Sequence, residues 1–160
     1  MFKVNKLTDY ATVLLIDIAK ADGVRPTQRI ADRTGIPLPT VAKIMKSLNR
    51  AGLVASTRGS SGGYTLGRPA AKITVADVIQ AVEGPIALTA CADTSDEHCG
   101  IESSCPVSGK WNRVNMAVRT ALEEVTLADM VAEVDAFGVE KFAVQPAAAS
   151  GVIPAVEGVR

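Results

Sequence analysis

The chain has 160 residues, of which 48% are hydrophobic and 21% charged, so it can bury a core and is not disordered as a whole. No segment reaches the roughly 18 uninterrupted apolar residues of a membrane span, and the first residues lack a secretory signal, so we expect a cytoplasmic protein with no membrane partner. The formal net charge of zero hides a basic half: residues 1–72 hold twelve Lys and Arg against four Asp, a net charge of +8 that is typical of a polyanion binder.

Two helices are predicted at the start of the chain. Apolar side chains recur at helical spacing over residues 8–20, with Thr8 placed to cap this helix and Asp9 in its first turn. A second helix is predicted over residues 27–34, and Gly35 follows it as a left-handed stop. The short interval after this stop leaves room only for a tight turn before the next helix.

The third helix, over residues 39–51, completes a helix-turn-helix pattern. Such a pattern needs a small residue where the helices cross, a glycine in the turn and two branched residues on the inner face of the second helix. These residues are Ala31, Gly35, Val41 and Ile44. Their spacing is typical of a DNA-reading element, and the alternative is a helical hairpin that only packs.

The outward side of this element carries side chains that suit DNA. The predicted DNA-contacting residues are Thr27, Gln28, Leu38, Pro39, Thr40, Lys43, Lys46, Arg50 and Arg58. The apolar and hydroxyl groups at the start of the third helix can meet base edges. The three cations farther along that helix fall where phosphates would lie.

A β-hairpin is predicted after the third helix. Two β-prone runs, over residues 53–58 and 64–66, flank a tip rich in Gly and Ser. Arg58 stands at the start of this tip, so a thin basic wing can approach the DNA backbone or enter a narrow minor groove. No helix N-terminus follows the glycines, which argues against a phosphate-cradling loop.

Two shorter helices carry threonine–aspartate capping signals. Thr74 and Asp77 form a capping box that predicts a helix over residues 75–82, ended by Gly84 and Pro85. Thr126 and Asp129 mark one more short helix near the end of the charged part of the chain.

A long helix is predicted from Pro106 to about Glu124. Its apolar stripe approximates a seven-residue repeat, which indicates packing against another helix, with a second copy of itself as one option. Residues 143–160 are rich in Ala, Pro, Gly and Val with almost no charge, and we interpret them as a flexible tail.

Three cysteines, Cys91, Cys99 and Cys105, lie in one polar loop. Their separations are longer than those of zinc knuckles, whereas three thiolates on a loose loop can span the corners of an iron–sulfur cluster and leave one iron for a fourth ligand. His98 is a weak candidate because it adjoins a cysteine, and Asp9 can be a ligand or simply an acid in a helix's first turn. A zinc site and a thiol switch remain alternatives.

Taken together, the two halves of the chain resemble the Rrf2 family of winged-helix iron–sulfur regulators of bacteria. The matching segments are residues 7–11, 41–44, 51–54, 58–59 and 62–64, Leu66 and residues 126–130. They fall within residues 1–134. Residues 84–91 and 104–106 look most like the branch that regulates assembly of iron–sulfur clusters by the SUF system.

The resemblance implies a homodimeric transcription regulator, usually a repressor, that binds double-stranded operator DNA and dimerises through the long helix. We expect no enzymatic activity and no small-molecule substrate, since the alternative of a thiol oxidoreductase is disfavoured by the absence of a CxxC pair and by the single His98 adjoining a cysteine. The regulator would sense iron–sulfur, iron or redox status through a cluster on Cys91, Cys99 and Cys105, for which we favour a four-iron form over a two-iron form. The alternative is a zinc-stabilised or thiol-redox DNA-binding regulator without a cluster.

The resemblance also bears on the fourth ligand. In nitric-oxide-sensing relatives an Asp of the N-terminal helix completes the cluster, and Asp9 occupies the matching position, where it can act across the dimer. In a related repressor a His shortly after the third cysteine does so, but residues 105–108 contain no His. We therefore predict Asp9 as the fourth metal ligand.

The predicted fold is mainly α: a winged helix-turn-helix domain plus a long dimerisation helix. The DNA-binding domain covers residues 1–84, the cluster-binding loop residues 85–106, the dimerisation helix and a short C-terminal helix residues 107–142, and the flexible tail residues 143–160.

Overall fold

A computed structural model describes residues 3–59, 61–90, 92, 99–101 and 104–132. The elements in chain order are α1 (Lys6–Ala19), α2 (Thr27–Thr34), α3 (Leu38–Arg50), β1 (Val54–Thr57), β2 (Gly63–Leu66), a 3-10 turn (Ala70–Lys72), α4 (Val75–Glu83), α5 (Trp111–Glu124) and α6 (Leu127–Val131). The predicted mainly α, winged helix-turn-helix fold is confirmed. The predicted tail, residues 143–160, lies outside the described residues.

The start of α1 differs from the prediction. Asn5 caps the helix, because its side-chain oxygen accepts a hydrogen bond from the Leu7 amide at 3.0 Å. Thr8 is buried inside the first turn, and its hydroxyl donates to the carboxylate of Glu83. The prediction of Thr8 as the cap is therefore wrong, since that side chain is used to hold α1 against α4.

The helix-turn-helix forms as predicted. α2 ends at Gly35, whose φ of 70° is the left-handed conformation that favours glycine, and its amide donates to the Ala31 carbonyl. α3 then begins within one residue of its predicted start. Its buried face contains the predicted Val41 and Ile44 together with Met45 and Leu48.

The core is shared by α1, α2, α3, α4 and α6. The largest fully buried side chains include Leu14, Leu15, Ile30, Met45, Leu48, Leu53 and Ile73. The short helix α6 returns to this core from the far end of the described chain, because Leu127 is buried in it and the Leu127 amide donates to the Ile73 carbonyl at 2.7 Å. The C-terminal end of the described residues is thereby attached to the same core as the helix-turn-helix.

The predicted hairpin is an antiparallel pair of strands with one added neighbour. β1 and β2 pair in register from Val54 opposite Leu66 to Thr57 opposite Gly63. Arg25, in the segment between α1 and α2, adds an isolated bridge to Tyr64 on the other edge of β2. The wing is thus joined through backbone hydrogen bonds to the start of the helix-turn-helix.

The two predicted capping boxes are present at the starts of α4 and α6. The long helix, however, begins at Trp111 and not at Pro106. Gly109 has a φ of 69°, which an α-helix does not accommodate, so residues 106–110 form turns that precede the helix. α5 packs on α4, and none of the helices in the described ranges is long and apolar enough to cross a membrane.

Candidate nucleic-acid interface

The side chains that α3 does not bury form one basic face. Lys43, Lys46 and Arg50 are exposed along it. At its N-terminal end Leu38 is 40% exposed and Pro39 is exposed. The helix therefore presents apolar groups at one end and cations along its length, which is the division needed for base contacts and phosphate contacts.

The other residues predicted to contact DNA, near the starts of α2 and α3, are less available for contact. Thr40 and Thr27 are partly buried, and Thr27 is the first residue of α2. Gln28 is exposed, but its amide donates to Asp32 at 2.8 Å within the same helix. Gln28 must therefore exchange an intrahelical hydrogen bond before it can contact DNA.

Arg58 lies at the tip of the wing, on an element separate from α3. It is exposed and directly follows β1. The next residue, Gly59, has a φ of 113°, and a Cβ on Gly62 would lie 2.6 Å from the Thr57 carbonyl oxygen. The tip can fold this tightly only with glycines, so Arg58 projects from a narrow hairpin.

One buried carboxylate of this domain could not be identified as functional from the sequence. Asp17 of α1 is only 8% exposed, and the Arg33 guanidinium of α2 donates to it at 2.6 Å. Arg25 lies on its other oxygen, at 3.7 Å. One local signal could have predicted that Asp17 is buried: it lies between the core residues Leu14 and Ile18 on the apolar side of α1. Its two partners come from other elements and leave no spacing pattern.

The predicted metal ligands are only partly described. Cys99 and Cys105 are partly buried, and neither forms a disulfide with the described residues. Asp9 is exposed in the first turn of α1. Across the described ranges no three His, Cys, Asp or Glu side chains are grouped closely enough to hold a metal ion, so Asp9 is not brought to Cys99 and Cys105 of its own chain. Cys91 lies outside the described residues.

The backbone that leads into the cysteine loop is clamped between α4 and α5. Asn115 of α5, which is 3% exposed, donates to the Ile86 carbonyl at 3.1 Å and accepts from the Leu88 amide at 3.0 Å. The Ile86 side chain is buried against Ala76 and Ile79 of α4. Ile86 and Leu88 belong to the predicted cluster-binding loop, residues 85–106, here named the cysteine segment. The first residues of this segment are therefore attached to both helices.

The end of α4 is also attached to α1. The Glu83 carboxylate accepts a hydrogen bond from the Asn5 amide at 3.0 Å and another from the Thr8 hydroxyl. Glu83 is the last residue of α4, and the cysteine segment follows it. Thr8 adjoins Asp9, so this contact lies beside the carboxylate predicted to bind metal.

α5 exposes large apolar side chains that the described part of the chain does not cover. Trp111 is 42% exposed, Val114 45% and Met116 66%. Exposed groups of this size along one helix are typical of a protein–protein contact. The predicted apolar stripe consists of Trp111, Val114, Val118, Ala121, Leu122 and Val125. Of these, Val118, Leu122 and Val125 are partly buried, and Met116 lies outside the stripe.

Comparison with known proteins agrees with this geometry. Residues 4–133 match the Rrf2 family, described as iron-dependent transcriptional regulators. The HTH-type transcriptional regulator IscR of Yersinia pseudotuberculosis serotype O:1b (strain IP 31758) is 35% identical over 124 residues, which are 76% of this chain and 74% of that protein.

Two solved structures share the fold. CymR (YrzC), the global cysteine regulator of B. subtilis, has a TM-score of 0.62 at 28% identity, covering 82% of this chain and 97% of that one. T. potens IscR has a TM-score of 0.58 at 30% identity, covering 81% and 86%.

Proposed function

Because the chain belongs to the Rrf2 family of transcriptional regulators, we propose that it is a DNA-binding repressor whose operator affinity is set by an iron–sulfur cluster on its cysteine segment. We further propose that it controls genes for SUF-type cluster assembly and so serves iron homeostasis. The observations that carry the coupling are two sets of hydrogen bonds. Asn115 of α5 holds the backbone at Ile86 and Leu88, and Glu83, which ends α4 just before that backbone, holds α4 to α1.

α3 is the proposed recognition helix. Its N-terminal residues Leu38, Pro39 and Thr40 enter the major groove, where apolar groups contact thymine methyls and the hydroxyl bonds to a base edge. The cations along its exposed face contact phosphates, which fixes the register of the protein on the duplex. Arg58 adds a contact from the wing, and Thr27 and Gln28 add contacts from the start of α2.

We propose that α5 pairs with the same helix of a second copy. The exposed apolar side chains of α5, Trp111 and Val114 among them, would then be covered in the dimer. A two-fold dimer of this kind places two recognition helices about 34 Å apart, one helical turn of DNA, so that both can read a palindromic operator.

The donor set suits an iron–sulfur cluster in its chemistry. Thiolates are the usual ligands of such clusters, and Cys99 and Cys105 are both partly accessible and outside any disulfide with described residues. We assign Cys91, Cys99 and Cys105 as the thiolate ligands and Asp9 of the partner protomer as the fourth, since Asp9 is not grouped with Cys99 and Cys105 of its own chain. When bound, a four-iron cluster supplies iron–ligand bonds that cross-link the segment and are lost on oxidation or iron shortage.

The attachments carry a change in the cysteine segment to α3. Asn115 holds the backbone at Ile86 and Leu88, and α4 is continuous with that backbone and packs on both α1 and α3. Ordering or loosening the segment therefore shifts α4 against the recognition helix. A coupling free energy of about 1–3 kcal/mol is enough for a 5- to 150-fold change in DNA affinity.

The cluster is tested by purification without oxygen. We expect a coloured protein with iron and sulfide in equal amounts, and a Cys99→Ser variant that loses both. Ser104→Ala, beside Cys105, is the matched control and should keep them. Asp9→Ala should shorten the lifetime of the cluster in air. Wild-type protein that stays colourless and iron-free after reconstitution would refute the cluster.

A thiol-redox regulator without a cluster is the second candidate. It is favoured by the two partly accessible thiols, Cys99 and Cys105, and by the similarity to CymR (YrzC), the global cysteine regulator of B. subtilis. Iron-free protein whose DNA affinity changes on oxidation, together with a disulfide found by mass spectrometry, would support it. Bound zinc in place of iron would instead indicate a zinc-stabilised regulator.

A further inference from the structure

We propose that Asp17 is a positioning residue of the DNA interface, which holds the wing in place relative to α2 and α3 without itself contacting DNA. The inference rests on the proposed DNA-binding function. It assigns a role to an ion-pair cluster, the Asp17 cluster, formed by the buried Asp17, the largely buried Arg25 and the exposed Arg33, whose side chain is 53% exposed.

The cluster joins a buried anion to two cations from different segments. The Arg33 Nε atom lies 2.6 Å from one Asp17 oxygen, and the Arg25 Nε atom lies 3.7 Å from the other. The side chains of Asp17 and Arg25 are 8% and 15% exposed. Neither the second Asp17 oxygen nor the Arg25 Nε atom has a hydrogen-bond partner in the described part of the chain. The charge of Arg25 is therefore compensated by Asp17, whose carboxylate also pairs with Arg33.

Arg25 connects the Asp17 cluster to the wing. The Arg25 amide donates to the Tyr64 carbonyl at 2.8 Å, and the Tyr64 amide donates to the Arg25 carbonyl at 2.9 Å. The contact is so close that a Cβ on Gly63 would lie 2.4 Å from the Arg25 carbonyl oxygen. The position of Arg25 therefore determines the position of β2, and through the strand register that of the Arg58 tip.

Arg33 connects the Asp17 cluster to the helix-turn-helix. Arg33 lies in the last turn of α2, directly before the Gly35 turn that leads into α3. The Asp17 carboxylate thus contacts both the neighbour of the wing and the helix that sets the direction of α3. Because α3 and Arg58 must meet one duplex together, a change in the angle between them lowers affinity even when every contacting side chain is present.

The direction in which DNA affinity changes when Asp17 is removed distinguishes a positioning role from a purely electrostatic one. Asp17 is one of only four acids among residues 1–72, against twelve Lys and Arg. If Asp17 acted only through its charge, its removal would strengthen binding to a polyanion. If it positions the wing, its removal weakens binding.

The first arm of the test uses the protein without DNA. In Asp17→Asn we expect hydrogen exchange at the Tyr64 amide to be faster by about tenfold or more, measured well below the midpoint of thermal unfolding. Asp32→Asn, an exposed acid of α2 with the same change in charge, should leave this amide as in the wild type. Arg25→Gln gives a second route should Asp17→Asn fold poorly, with Arg29→Gln, an exposed cation of α2, as its control.

The second arm measures affinity for a duplex that the wild-type protein selects from a random-sequence pool. We expect Asp17→Asn to bind about tenfold more weakly with an unchanged salt slope, and Asp32→Asn to bind as tightly as the wild type or more tightly. Unchanged Tyr64 exchange, or Asp17→Asn affinity equal to or above that of the wild type, would overturn the inference. If the wild type selects no duplex at all, the proposed function fails, and the Tyr64 exchange still decides whether Asp17 holds the wing.

Discussion

Asp77 closes the N-terminus of α4 through several contacts to one carboxylate. One of its oxygens accepts from the Thr74 amide at 2.8 Å and lies 2.9 Å from Arg68, while its own amide donates to the Thr74 hydroxyl. Burial raises the pKa of Asp77, but the hydrogen bonds with Thr74 and the charge of Arg68 outweigh burial, so the pKa lies below its ordinary value. The folded protein therefore favours the ionised form.

This lowered pKa gives a stability prediction with a definite sign. The ionised carboxylate stabilises the fold above the unfolded pKa of about 4, and the contribution is lost as the pH falls through the lower folded value. Asp77→Asn should lower the free energy of unfolding by about 1 kcal/mol near neutral pH, and the difference from the wild type should shrink below about pH 4. Urea unfolding at several pH values, with the exposed Asp22→Asn as control, measures it. A difference that stays constant into acid would contradict the assignment.

For single residues, the sequence predicts contacts between neighbours in the chain but not contacts between distant segments. The Thr74–Asp77 box follows from a spacing of three residues, which places both groups in one helical turn. The partners of Asp17 could not be predicted, because Arg25 and Arg33 meet it only after α1 and α2 pack. Thr8 was misassigned for the same reason, since its partner Glu83 is brought to it by α4.

Among the elements, the wing allows the clearest test of DNA contact. Each phosphate contact contributes about 0.9 to the slope of log affinity against log salt. Arg58→Ala should therefore weaken binding and lower that slope by about 0.9. Arg119→Ala removes the same charge from α5, where the arginine pairs with Glu123, and should leave the slope unchanged. An unaltered slope in Arg58→Ala would mean that the wing does not touch a phosphate.

The wing also depends on one glycine. An added methyl at Gly63 would lie 2.4 Å from the Arg25 carbonyl oxygen, so the bridge to Tyr64 must open. Gly63→Ala should lower the free energy of unfolding by about 1–3 kcal/mol. Gly100→Ala is the matched control, because its Cβ would meet nothing within 4 Å. Equal stability of the two variants, measured by urea unfolding, would show that the wing adapts without this contact.

Element boundaries were predicted where caps and apolar periodicity are both local. α2, α3, the hairpin and α4 are placed to within a residue or two, because Gly35 and the Thr74 box fix their ends. The start of α5 was placed five residues too early. Pro106 is a good first residue for a helix, but the left-handed conformation of Gly109 cannot be read from its identity.

For the whole molecule, the helix-turn-helix pattern together with the uneven charge predicted the class of partner, since residues 1–72 carry the basic excess and contain that pattern. The sequence did not show how the cysteine segment is attached to that body. That attachment depends on the Asn115 and Glu83 contacts, which join residues far apart in the chain. The C-terminal return of α6 to the core could not be predicted either, because Leu127 is the one fully buried residue of α6 and its amide bonds to the distant Ile73 carbonyl.

The proposed coupling of the cysteine segment to DNA binding is tested most directly by comparing the operator affinity of cluster-loaded and cluster-free protein. Both forms are prepared from one anaerobic batch, and affinity is measured for the duplex that the wild type selects. We predict that the two affinities differ by 5- to 150-fold, as expected for a coupling of about 1–3 kcal/mol, and that Cys99→Ser gives only the cluster-free value. Equal affinities for the two forms, with iron and sulfide confirmed in the loaded one, would contradict the account.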